Sequence, residues 1–269
     1  MGQSYRKDFN MIKTSKISVF LILVLFTFPS FAETLAGTEY KSNLTQEELT
    51  LKILKLKKEK VPGQFTRINK NILKFEGYIV RDSYSEYLKN IDSDVNMLVI
   101  NCLGGDTYSG VKMGLDIQKR RLDVIVEGLA VSSAANYLFL AGEEKIIKNG
   151  VVGFHGNAQA LLKQVGGFEK LKKEMKEKYK MSDEYFNTFK KEQQETIKLE
   201  KEFYKKMDIP QQFFNITQTK NIGLAPELKE DFDFLLPSLG TMKKFNIKNV
   251  SGMQNIPLAE AVGIKLIYW

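Results

Sequence analysis

Apolar residues first fall into a regular pattern over 44–60, where Leu49, Ile53 and Leu56 recur four and three apart. That spacing predicts a helix with one core-facing side, and Pro62-Gly63 ends it. Residues 72–80 (Ile-Leu-Lys-Phe-Glu-Gly-Tyr-Ile-Val) then read as a strand, and 83–91 as a short helix capped by Asp82 or Ser83. A continuous apolar run at 97–100 reads as a strand, followed by a helix at 107–121, a strand at 124–127 and a helix at 133–141. Two further strands are predicted near 145–148 and 151–154. Apolar strands alternating with helices of this length imply an α/β fold with a largely parallel sheet covered by helices.

Past this segment the composition turns to Lys and Glu. Between Gly166 and Lys206, Phe168, Leu171, Met175, Tyr179, Tyr185, Phe189, Ile197 and Phe203 lie at roughly helical spacing, which predicts an inserted helical arm over about 160–207. Two roles fit such an arm: an amphipathic layer packed on its own domain, or an oligomerisation or lid element. Residues 207–269 return to α/β character, with 231–236 strand-like and 258–267 a helix running into a terminal strand. The chain shows no internal repeat of 20 to 50 residues and no low-complexity linker.

Composition bounds the compartment and the partners. Lys13 and Lys16 precede the apolar run 17–28, and Pro29-Ser-Phe-Ala32 ends in a small residue, the pattern of an export signal over 1–32. The apolar core is about a dozen residues, short of the roughly 20 that a spanning helix needs, so cleavage near Ala32 and a periplasmic or secreted domain over 33–269 are expected. The formal charge is +8, spread over mixed Lys/Glu runs and not clustered into a basic face with interleaved aromatics, so no nucleic-acid face is predicted. The single cysteine, Cys102, precludes an intrachain disulfide. No histidine or cysteine pair exists to bind zinc, and neither glycine loop continues into Gly-Lys-Ser/Thr, so no metal and no nucleotide cofactor are expected.

The candidate chemistry lies between the strand at 97–100 and His155, the only histidine in the chain. Any serine activated by an imidazole must use that residue. Acyl transfer to serine needs a hydroxyl, a base, a group that orients the base, and amide donors for the developing oxyanion. Ser132 or Ser133 lies between a strand and a helix, where helix N–H groups face outward. Gly104-Gly105, after another strand, lets a backbone amide approach a carbonyl unobstructed. Cys102 is a poorer nucleophile because its neighbours favour burial.

Three stretches together resemble the Clp-type peptidase and crotonase superfamily, in particular its signal-peptide-peptidase-like, exported branch. They are Asn101-Cys-Leu-Gly-Gly-Asp-Thr-Tyr-Ser-Gly110, Gly128-Leu-Ala-Val-Ser-Ser-Ala-Ala-Asn-Tyr-Leu-Phe-Leu-Ala-Gly142 and Gly153-Phe-His155. The resemblance covers about 72–155, with a weaker echo at 231–267. It implies repeated ββα units and a serine peptidase acting on peptides or unfolded chains without ATP or a cofactor. Homo-oligomers, trimers or larger rings with the arm as interface, are implied too, and the export segment fits residence near a membrane. Counting back from Ala141-Gly142 makes Ser133 the nucleophile, with Gly104, Gly105 and Ala134 around the oxyanion; counting forward from Gly128 gives Ser132. The helix register favours Ser133.

The family's acidic member precedes a helix that Leu258-Ala-Glu-Ala-Val-Gly-Ile264 resembles, yet no carboxylate lies between Ser251 and Leu258. Asp233 is the expected third member, with Asp231 and Asp208 as alternatives. Three other readings remain open: a Ser-Lys pair, a catalytically inactive binding or assembly protein of the cell envelope on the same scaffold, and crotonase-type acyl-CoA chemistry, which export disfavours.

Overall fold

A computed structural model describes residues 40–41, 44–218 and 233–269; the expected export signal over 1–32 and Asp231 lie outside the described residues. The first helix, α1 (Gln46–Glu59), opens on a capping box in which Thr45 and Glu48 satisfy each other's backbone amides. Its predicted face is the buried one, with Leu49, Ile53 and Leu56 turned into the core.

Six strands form the main sheet, in the order β1 (Gln64–Arg67), β2 (Ile72–Ile79), β3 (Met97–Gly105), β4 (Asp123–Val131), β5 (Lys145–Gly153) and β7 (Val250–Gln254). Only β1 runs antiparallel to its neighbour; the other pairings are parallel. The crossovers α2 (Ser83–Asn90) and α3 (Thr107–Arg120) join successive parallel strands, and a small parallel sheet of β6 (Phe234–Leu236) and β8 (Leu266–Tyr268) sits beside the end of β5. The mixed α/β architecture with a mostly parallel sheet is therefore as the alternation predicts. The Asp82/Ser83 start of α2 also holds, although Ser83 Oγ accepts from Val80 N–H while Asp82 provides no side-chain cap.

Register shifts run across the sheet at one level, at Gly77/Ile79 on β2, Ile100/Cys102 on β3, Val126/Gly128 on β4 and Ile147/Gly150 on β5. A row of bulges bends and twists strands, and it divides this sheet into a lower core and an upper rim that carries the glycine and serine loops. Two residues of the sequence motifs fit this line. The Asn101 amide, fully buried, accepts from Leu129 N–H at 3.0 Å, replacing a ladder bond that the shift removes. Gly128, at φ +107°, makes room for it: a Cβ there would lie 2.4 Å from Asn101 Oδ1. The same shift explains why β5 is one strand rather than the predicted pair, because Asn149, at φ 57°, and Gly150 interrupt its apolar pattern without ending its pairing.

The arm is built from α4 (Ala158–Gln164), α5 (Phe168–Tyr179) and α6 (Asp183–Met207), with α7 (Gln211–Gln218) after it. Helix α5 has no buried residue, and Tyr179 and Tyr185 are exposed. Helix α6 buries Phe186, Thr196, Glu200, Phe203 and Tyr204, and Phe203 meets Tyr137 edge to face at 6.0 Å. Its second half thus packs on its own domain. The remaining elements are α8 (Leu239–Lys244) and α9 (Ile256–Ala261).

Replacing Asn101 by Ala leaves the buried Leu129 N–H without its acceptor. We expect denaturant unfolding of Asn101→Ala to report a loss of about 1–3 kcal/mol with an unchanged m-value.

Candidate functional site

Strand β4 ends at Val131, paired with Gly153 of β5, and the next amide, Ser132 N–H, still donates to Gly153 carbonyl at 3.1 Å. The chain then turns sharply into a helix with Ser132 at φ +59°, a left-handed conformation rare for a residue with a side chain. Just past β5, Phe154 exchanges two backbone hydrogen bonds with Leu235 of β6, which fixes the chain direction one residue before His155. The two adjacent strand ends therefore aim Ser132 and His155 at each other. Ser132 Oγ lies 2.6 Å from His155 Nε2.

Ser133 is placed differently from the sequence expectation. Its backbone is right-handed helical, it is buried, and its hydroxyl donates to Gly105 carbonyl at 2.9 Å, away from the imidazole. The cause is a π-helix, Ala134–Phe139, in which Leu140 N–H reaches back to Ala135 carbonyl. A π-turn holds one more residue than an α-turn, so counting back from Gly142 through a regular helix stops one residue late. With Ser132 beside the imidazole, the amide that follows the paired serine is that of Ser133 and not that of Ala134.

The glycine loop lies against this turn. Gly104 is at φ +80°, and a Cβ on it would fall 2.5 Å from Ser132 Cβ and 2.9 Å from its Oγ, so only glycine allows the two loops to approach. A Cβ on Gly105, at φ +133°, would strike Ile79 carbonyl oxygen at 2.1 Å. Cys102 is fully buried beneath, with its Sγ 3.4 Å from Gly104 N, and burial pushes its thiol up to about 12. It is not poised as a nucleophile.

Burial holds the His155 imidazole below the ordinary histidine range, while a hydrogen bond to its own main chain pulls the other way. The Phe234 ring packs on it, with centroids 5.6 Å apart. Among the described residues no carboxylate bonds to it. Asp233, the expected third member, is exposed and its Oδ2 accepts from Lys265 N–H at 2.9 Å; it serves the β6–β8 junction. Asp208 caps the end of α6 and pairs with Asn246. The buried lysines are engaged elsewhere, Lys74 with Glu127 at 2.9 Å and Lys145 with the carbonyls of Gly142 and Lys248, so neither supplies a Ser-Lys pair.

Ser132 and His155 open onto a cavity of about 470 Å³ whose walls include Asn136, Tyr137, Leu161, Phe189, Gln193 and Gln218. Leu161, Phe189, Gln193 and Ala158 also border a second, mostly apolar hollow of about 290 Å³ between the helices of the arm. No group of three or more His, Cys, Asp or Glu side chains among the described residues is arranged to hold a metal ion.

No protein-family model matches the chain, and no curated protein matches it. Among solved structures, a probable enoyl-CoA hydratase/isomerase from Mycobacterium abscessus is similar at 16% sequence identity, with a TM-score of 0.28. That match covers 39% of this chain and 52% of the other, about half of its length. The mixed α/β assignment accordingly stands on the strand order and pairing of the chain itself.

Proposed function

We propose that this chain is an exported serine hydrolase, a peptidase acting on peptides or unfolded proteins without ATP, in which Ser132 is the nucleophile and His155 its base. The observation that carries the reading is the 2.6 Å approach of Ser132 Oγ to His155 Nε2 at the mouth of a cavity. That distance is within the range for proton transfer between a nucleophile and its general base. The left-handed serine on a strand-to-helix turn supports it, since such a turn projects the hydroxyl beyond the sheet and lets helix amides face the same point. Export is supported by the charged, apolar and small-residue order of 1–32.

In the reaction His155 Nε2 takes the Ser132 proton as Oγ attacks the scissile carbonyl. The tautomer that carries its proton on Nδ1 leaves Nε2 as the acceptor. Gly104 N–H is engaged by Cys102 Sγ, so the amides of Gly105 and Ser133 serve the oxyanion, His155 returns the proton to the leaving amine as the C–N bond breaks, and water then releases the acyl group by the reverse route. With Asp233 committed to Lys265, the imidazole is oriented by its main chain, by Phe234 and by the β5–β6 bridge. That missing carboxylate among the described residues is also what favours the second reading, an inactive binding or assembly protein of the cell envelope on the same scaffold.

A fluorophosphonate probe separates the two. It should label the wild type, lose labelling on Ser132→Ala and His155→Ala, and retain it on Ser133→Ala; an unlabelled wild type with an intact fold favours the binding protein. Because burial lowers the His155 pKa, the imidazole stays a free base to below its ordinary value, and labelling should fall on acidification with a midpoint under 6.5. A midpoint at or above that value contradicts a buried base.

A further inference from the structure

Helix α6 places one carboxylate where no solvent reaches it. Glu200 is 1% exposed and forms no salt bridge among the described residues, a costly position for an acid. Its oxygens are occupied by donors from two separate segments. The Tyr137 hydroxyl donates to Oε1, Ala158 N–H donates to the same oxygen at 3.0 Å, and Gln159 N–H donates to Oε2 at 3.3 Å. Tyr137 stands on the π-helix five residues after Ser132, and Ala158 and Gln159 open α4 three and four residues after His155. A cross-tie closes the loop, because Asn136 Nδ2 donates to Gly156 carbonyl.

We propose that Glu200 is a positioning residue that ties the serine-bearing and histidine-bearing segments to the arm, so that α6 sets the Ser132–His155 geometry from behind; this rests on the hydrolase reading of the site. Three features support it. The carboxylate satisfies first-turn amides of α4 that otherwise end unpaired. Tyr137 is held on its other sides by Phe203 and Tyr204 of the same helix, at 6.0 and 6.2 Å, so the contact is rigid. Burial raises the Glu200 carboxyl while its three donors oppose that rise, which is how a buried acceptor hub is kept. A Gln in this position offers an amide NH2 to one of the donors and breaks one tie.

The test uses the full chain and reads two quantities. Labelling by fluorophosphonate reports on Ser132, and the proton NMR titration of His155, the sole imidazole, reports on the base directly. Glu200→Gln should slow labelling by roughly 10- to 100-fold, the scale of a small misplacement of reacting groups, and move the His155 midpoint up toward 6.5 as its segment loosens. Tyr137→Phe, which keeps the ring and removes one donor, should shift both in the same direction by less, and it carries the test should Glu200→Gln not fold. Asp183→Asn, which removes an exposed ion pair of the arm with Lys172 and Lys176, should change neither. Folded Glu200 and Tyr137 variants with wild-type labelling and an unmoved His155 titration overturn the proposal. Absence of labelling in the wild type sinks the hydrolase reading alone, because the His155 titration still decides whether Glu200 holds that segment.

Discussion

The parallel pairing of β4 with β5 above the row of register shifts is the constraint on which the site depends. Val131 faces Gly153, and Ser132 N–H closes onto Gly153 carbonyl. From the Val131–Gly153 pair the two chains run on by one residue on one side and two on the other, which is how a serine and a histidine 23 positions apart come within 2.6 Å. Neither side chain is placed by a long flexible reach. Anything that slides β5 against β4 turns every later residue to the opposite face of the sheet, and the dyad with it. Asn101 and Gly128, which accommodate the shift, therefore serve the site from below without touching it.

Much of this was legible in the sequence wherever one physical signal dominated. The four-and-three spacing of Leu49, Ile53 and Leu56 gave a helix face that is buried as expected, and the apolar runs of β2, β3 and β4 identified the central strands. Other elements carry no such signal. Strand β7 lies at the sheet edge with an exposed, polar sequence, so its addition beside β5 comes from backbone pairing and not from apolar pattern. Which of the two serines meets the imidazole is hidden for a different reason. A helix count assumes 3.6 residues per turn, and a π-turn of Ala and aromatic residues looks the same in sequence. The positive φ of Ser132 is equally invisible, since nothing in a Ser-Ser pair says which one turns left-handed.

The acidic partner shows the limit of reading neighbours along a chain. Asp233 precedes Phe234, which packs on His155, so the segment lies beside the imidazole. Its carboxylate, however, points to the β8 side and accepts from Lys265. The most site-relevant acid among the described residues, Glu200, sits instead in a Lys/Glu-rich helix where its sequence context is that of a solvated face. Only burial distinguishes it from the other glutamates of α6. A more selective signal was available in retrospect: Glu200 lies one turn from Phe203 and Tyr204, on the side of the helix that carries the aromatic residues.

The central claim is that Ser132, and not its neighbour, is the activated hydroxyl. It is tested most directly by treating the intact protein with a small organophosphorus reagent at neutral pH and locating the adduct by tandem mass spectrometry across the peptide holding both serines. The account predicts a single adduct on Ser132. An adduct on Ser133, or none on a protein shown to be folded, contradicts it.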